Sequence, residues 1–179
     1  MDLWNGTLPP GVIENKLVEI MSDIMKTSLS EHEEVVDPAP AGRPLGGHTL
    51  KKHAGKSDAE LLGRFGWDSN CHSSSGFFNG VSFAEAVVAK ALLSNLDRVY
   101  TWYTGDKSAT ADLPDAVEND KDLHIVYQNN FDVGRTFKRS KPGQPARVKN
   151  KVSILLRWID EGEPPINGRT DFILTAYPC

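Results

Sequence analysis

Cysteine is nearly absent: the 179 residues contain two, Cys71 and Cys179. They allow one disulfide at most, so no cysteine framework holds this fold together. Neither has a second cysteine at a metal-ligand spacing, and two free thiols in a reducing compartment are the plainer reading. Long apolar runs are also missing, and none approaches the roughly 20 residues that cross a bilayer. The opening Met1-Asp2-Leu3-Trp4-Asn5-Gly6 lacks the basic and apolar regions of a signal peptide. The chain as it stands therefore does not read as a secretory precursor, although a segment cut from a larger exported protein would look the same. The five histidines are His32, His48, His53, His72 and His124, and no acidic cluster surrounds His48 and His53. His48 and His53, five apart, fit neither one helical face nor a zincin motif. A phosphate-binding glycine loop is lacking, and Ser73-Ser74-Ser75 has no Gly-x-Ser-x-Gly frame. The expectation is neither metal nor cofactor.

What is present is an ordinary globular composition, with 39% hydrophobic and 25% charged residues. Its charge is unevenly spread. Residues 1–41 set Lys16 and Lys26 against eight acids, which makes the lead strongly acidic and leaves the remainder slightly basic. Arg135 to Lys151 carries seven bases and no acid. Such a block suits phosphates, and it equally suits a solvated basic hairpin.

Val12, Ile13, Leu17, Ile20, Met21 and Ile24 recur at three- and four-residue spacings, which predicts an amphipathic helix over residues 11–27. Asp37-Pro38-Ala39-Pro40-Ala41-Gly42-Arg43-Pro44 follows as a linker, because proline at that density breaks helices. The expected division is a lead of residues 1–41 and a folded domain of residues 42–179. Ser57-Asp58-Ala59-Glu60 and Ser82-Phe83-Ala84-Glu85 both fit the capping box and predict helices over 58–65 and 83–96. Gly66 to Gly80 reads as loop. From Arg98 onward the pattern is strand-like: Val99–Tyr103, Leu123–Gln128, Thr136–Arg139, Val148–Trp158 and Asp171–Tyr177. Helices first and antiparallel strands afterwards make an α+β domain.

The polar groups with chemical potential lie near the two ends of that domain. His53 directly precedes the first capped helix, and histidine suits proton transfer near neutral pH. Lys51, Lys52 and Lys56 around it favour an anionic substrate. Arg64, 11 residues on, has a guanidinium that can clamp a phosphate at two points. At the other end, strand alternation puts Thr175 and Tyr177 on one face. Each also has a bland reading: a structural histidine, a helix-end arginine meeting the dipole, a tyrosine packed on its sheet. Spacing alone leaves both readings open.

The run Gly46-Gly47-His48-Thr49-Leu50-Lys51-Lys52-His53-Ala54-Gly55-Lys56-Ser57-Asp58-Ala59-Glu60-Leu61-Leu62-Gly63-Arg64, the capped Ser82–Leu96 helix, Trp102 and the closing Leu174-Thr175-Ala176-Tyr177-Pro178 resemble one known family. It is the bacterial RNase A-like toxin domain, found at the C-terminus of contact-dependent growth inhibition proteins and related polymorphic toxins. The resemblance spans Leu45–Cys179. It implies an RNase A-like fold of N-terminal helices followed by a curved antiparallel sheet, without the vertebrate disulfides. It implies a catalytic set of His53, Arg64, Thr175 and Tyr177, with Lys51, Lys52, Arg135 and Lys138 as RNA-binding candidates. His48 is left as a structural or substrate contact, or as a second catalytic histidine. The implied activity is a metal-independent endoribonuclease that cleaves RNA, transfer RNA among the candidates, by attack of the ribose 2′-OH to give a 2′,3′-cyclic phosphate. The general acid is not assigned. The implied partners are the RNA substrate and a cognate immunity protein, and the implied place of action is the cytoplasm of a target cell. The alternative is a catalytically inactive RNA-binding or protein-interaction domain of the same fold.

Overall fold

A computed structural model of the chain describes residues 10–33, 46–103, 122–159, 162 and 165–179. The proline-rich linker expected over 37–44 lies outside these residues. The apolar periodicity of the lead is realised as α1, Pro10–Met25. Its Ile20 and Ile24, with Leu29 of the short 3-10 turn Leu29–His32, are buried in the same apolar cluster as the rest of the chain. The lead helix thus packs on the folded body through α4 (Gly80–Leu93) and α5 (Leu96–Tyr103).

The first capping box forms as expected. Ser57 accepts from the Glu60 amide and Glu60 reaches back to the Ser57 amide, starting α3 at Asp58–Trp67. The second does not form. Helix α4 starts earlier, from Asn79 in the left-handed conformation, and has no side-chain cap. The Glu85 carboxylate instead accepts from the backbone N–H of Leu29 at 3.0 Å, so a tertiary contact takes the group that the local motif required.

Two further expectations fail for related reasons. Val99–Tyr103 is not a strand but the second half of α5, which buries Val99 and Trp102 one turn apart. β-Branched and aromatic content suggested a strand, but the three-residue spacing of the two buried groups decides the outcome. The polar stretch 66–80 is not all loop, because Ser73–Phe77 forms strand β1. Ser75 is tolerated inside because it is bonded, its Oγ lying 2.8 Å from Thr136 Oγ1 across the ladder.

The remaining strands are β2 (Asp122–Gln128), β3 (Gly134–Lys138), β4 (Arg147–Lys149), β5 (Lys151–Trp158) and β6 (Asp171–Pro178). They form two antiparallel three-stranded sheets, ordered β1-β3-β4 and β2-β5-β6. The run 148–158 expected as one strand is therefore two, broken at Asn150 and shared between the sheets. The core lies between the inner face of the second sheet and helices α1, α4 and α5, with Ile125, Ile154 and Ala176 from the three strands fully buried. The architecture is α+β. Both cysteines are unpaired. Among the described residues no helix is long and apolar enough to cross a membrane.

Candidate active site

The Gly-Gly-His-Thr segment holds the short helix α2, Thr49–Lys52, against the free edge of β6. Gly46 adopts φ 111°, a conformation open to glycine. At Gly47 a Cβ would collide with the carbonyl oxygens of Ile173 and His32, so only glycine allows that approach. The His48 amide then donates to the Leu174 carbonyl at 3.0 Å, and Thr49 Oγ1 accepts from the Ala176 amide at 2.9 Å. The Glu33 carboxylate receives the amides of Leu50 and Lys51, which start the helix.

His53 terminates α2 and faces β1. Its Nδ1 lies 2.8 Å from the Ser75 carbonyl oxygen. A carbonyl only accepts, so Nδ1 carries the proton and Nε2 keeps the lone pair. The His53 carbonyl in turn accepts from the Phe77 amide at 2.9 Å, so ring and backbone are both anchored to one strand. The residue is 7% exposed. Burial pushes its pKa down to about 3, with the positive charges of Arg64, His48 and Lys52 acting in the same direction and the Ser75 carbonyl opposing. The imidazole is neutral at physiological pH. The Tyr177 ring lies 5.4 Å from it and the His48 ring 6.2 Å, centroid to centroid.

Arg64, on α3, is oriented by Asp68 one turn on. Its Nε and Nη2 both donate to Asp68 Oδ2 at 3.1 Å. Desolvation works against the Asp68 charge, yet the Arg64 guanidinium holds this carboxyl below the usual carboxylate range. Nη1 of Arg64 is enclosed and has no hydrogen-bond partner among the described residues. Thr175 Oγ1 is in the same condition. Buried polar atoms are seldom left unpaired without a reason, and two of the four expected catalytic residues carry one.

Thr175 and Tyr177 share a face, as the alternation required. A register shift at Leu155/Leu156 accommodates Leu174 as an extra residue, after which Thr175 pairs with Leu155 and Tyr177 with Ser153. His124 and Val126 of β2 flank the same two β5 residues from the other side. His124, Ser153, Thr175 and Tyr177 thus lie on one face, with His124 Nε2 2.7 Å from Ser153 Oγ. The sequence reading attached no role to Asp68, Ser75 or Ser153. Nothing in a one-dimensional pattern signals a carbonyl that fixes a tautomer, but an acid four residues after Arg64 on a helix was a readable clue.

Of the remaining expected contacts, Lys51 and Lys52 line a groove beside Arg64. Arg135 is used in packing: its three guanidinium nitrogens reach Asp58, the Phe77 carbonyl and the Lys56 carbonyl. Lys138 is exposed at the far end of β3, beside a shallow recess formed with Lys141 and Arg147. The structure therefore brings Tyr177 beside His53, with Thr175 on the face of Tyr177 and Arg64 in electrostatic range of His53, and engages Arg135 elsewhere. Trp102 and Tyr103 serve the core: Trp102 stacks on Trp158 at 4.8 Å and Tyr103 donates to Asp171 at 2.6 Å. Among the described residues no group of three or more His, Cys, Asp or Glu could hold a metal ion.

The family model of the bacterial CdiA-CT RNase A domain matches residues 47–178. A solved structure, the crystal structure of a CdiA-CT/CdiI complex from Y. kristensenii 33638, is 28% identical to the chain. The match covers 74% of this chain and 99% of that one, with a TM-score of 0.51. No curated protein matches the chain.

Proposed function

The chain belongs to the bacterial CdiA-CT RNase A domain family, a ribonuclease toxin domain, and on that footing we propose that it cleaves RNA by metal-free transphosphorylation. The observation that carries the reading is the fixed tautomer of His53, whose protonated Nδ1 is bound to Ser75 while Nε2 keeps its lone pair beside Tyr177. Nε2 takes the proton of the ribose 2′-OH, and that oxygen attacks the adjacent phosphorus. The bond from phosphorus to the 5′-oxygen breaks, leaving a 2′,3′-cyclic phosphate and, once protonated, a 5′-hydroxyl. The Arg64 guanidinium offsets charge on the non-bridging oxygens as the phosphorane forms, and Thr175 holds the phosphate or the base. Tyr177 donates a hydrogen bond to the phosphate or to the departing oxygen. Lys51 and Lys52 draw the polyanion in. Residues 42–179 constitute the catalytic unit, and residues 1–41 a lead whose helix docks on it.

A neutral buried base suits this chemistry. A protein carrying a permanent charge there would bind phosphate without being able to accept a proton. The phosphate that arrives supplies the negative charge that the free site lacks, and so raises the basicity of Nε2 at the moment of use. The target is RNA in the cytoplasm of a recipient cell, with transfer RNA as one substrate class. By the chemistry of such a system the producing cell needs an immunity protein that covers the site, as the CdiA-CT/CdiI complex of the structural neighbour suggests.

The test is incubation of the purified chain with total RNA and transfer RNA, reading the position and chemistry of the new ends. Cyclic phosphate and 5′-hydroxyl ends are expected, with His53→Ala inactive but folded by circular dichroism. Cleavage by His53→Ala, or 3′-hydroxyl and 5′-phosphate ends, overturns the mechanism.

A further inference from the structure

A second feature of the surface adjoins this site without being part of it. Trp67, the last residue of α3, is 64% exposed, although tryptophan is the largest apolar side chain. It forms one wall of a groove of about 290 Å³ between α2 and α3, whose other walls carry Lys51, Lys52, Lys56 and Arg64. The size is at the low end for a bound small molecule, near that of one nucleotide. One acid, Glu60, lines the groove. Its carboxylate is engaged by the Ser57 amide at 2.8 Å and the Ser57 hydroxyl at 2.7 Å, with Lys56 Nζ 3.7 Å away, so its charge is largely answered locally. Gly63 also lines it. Glycine weakens a helix relative to alanine, and a Cβ here would meet nothing within 4 Å, so the fold itself does not require it. What glycine provides is room.

Four cations and an exposed indole around an open space have one common ligand chemistry, that of a single-stranded nucleic acid. Its phosphates meet the lysines and its base lies on the aromatic face. Arg64 is shared between this groove and the site around His53, so the groove continues the path of a strand held there. We infer that the groove between α2 and α3 is a nucleotide subsite in which Trp67 stacks a base of the RNA strand flanking the cleaved bond. This rests on the ribonuclease reading and adds where the strand runs.

The test uses a single-stranded 2′-O-methyl hexanucleotide, which lacks the proton needed for cleavage, with affinity read by anisotropy of an end label. Trp67→Ala is expected to weaken binding about fivefold to tenfold, the scale of one lost base stack, and Trp67→Phe to retain most of it. Oligonucleotide is also expected to quench tryptophan emission in the natural protein and much less in Trp67→Phe, a readout of contact that a structural role would not move. Thermal melting of both variants checks the fold. Binding by Trp67→Ala within twofold of the natural protein, or unchanged quenching in Trp67→Phe, overturns the subsite while leaving the ribonuclease reading intact. Failure of the natural protein to bind any oligonucleotide fails both. Loss of immunity-protein binding with RNA binding unchanged overturns the subsite in favour of a protein-docking surface.

Discussion

The ring of His53 is bonded through Nδ1 to the main-chain carbonyl of Ser75, 22 residues away on a different element. The tautomer of His53, the proposed base, is thereby set by the position of a strand rather than by a carboxylate among the described residues.

That arrangement makes the pH profile diagnostic. With the His53 pKa held at about 3 by burial and neighbouring positive charge, the group is deprotonated across the physiological range. The acid limb of kcat/KM is expected far below 6.5, leaving the rate flat from about pH 7 to 5. The limb of kcat should lie higher, because bound phosphate favours the imidazolium. Initial rates across pH on a short RNA check both, and a kcat/KM limb near 6.5 would exclude a buried His53 base.

Asp68 holds the Arg64 guanidinium through Nε and Nη2 and is a positioning residue in the proposed mechanism. Asp68→Asn should lower kcat about tenfold to a hundredfold, the cost of a misplaced group, with the profile against pH unchanged in shape. Single-turnover kinetics on the variant separate this from a loss of folding, and an unaltered kcat would show that Arg64 needs no such support.

Acid should destabilise the fold through two buried histidines. His32 Nδ1 accepts from the Ile173 amide at 3.1 Å, and burial lowers its pKa to about 4, with Arg169 adding to the shift. His53 is lowered further. Both fold as neutral groups, so their contribution is intact above the unfolded value of 6.5 and is lost as pH falls, down to about 4 for His32 and 3 for His53. Each contributes a slope of about 1.4 kcal/mol per pH unit in its window. Urea melts at pH 7, 6 and 5 measure it, and a flat stability over that range would contradict the burial.

How far sequence reading reaches is visible in three elements. The Ser57–Glu60 box and the strand expected over Asp171–Tyr177 were legible because their signals are local: the box needs four residues, and so does alternation. Helix α5 was misread because Val99-Tyr100-Thr101-Trp102-Tyr103 has strand composition, and its helical identity depends on burying Val99 and Trp102 in the core. Strand β1 was missed because serine is a poor strand signal, and its burial is repaid by Thr136, 61 residues on. For the candidate site, the residues proposed to act were named from resemblance, whereas Ser75 and Asp68, which orient His53 and Arg64, take up that role only once the chain is folded.

The lead is expected to contribute to stability. Leu29 is fully buried and its amide is bound by Glu85. Leu29→Ala should cost about 2–5 kcal/mol, and removal of residues 1–33 should lower Tm markedly. An unchanged Tm after truncation would show the lead to be separable.

Chelation gives the simplest prediction. EDTA should leave the cleavage rate unchanged, because every proposed role is filled by a side chain or the substrate itself. Inhibition reversed by added metal would replace the mechanism.

Asn150 is where the chain passes from the first sheet to the second, and the two sheets meet again where Gly134 lies under Pro178, with no space for a Cβ. His53 belongs by its bonds to the first sheet, and Tyr177 is a residue of the second. The proposed centre therefore straddles a joint, and its working gap is set by how two separately built halves close. A methyl group at position 134 would meet Pro178 and the Gly76 carbonyl and act as a shim in that joint. Tolerance of the proposed chemistry to change is then governed at the seam between the sheets as much as at the reacting groups.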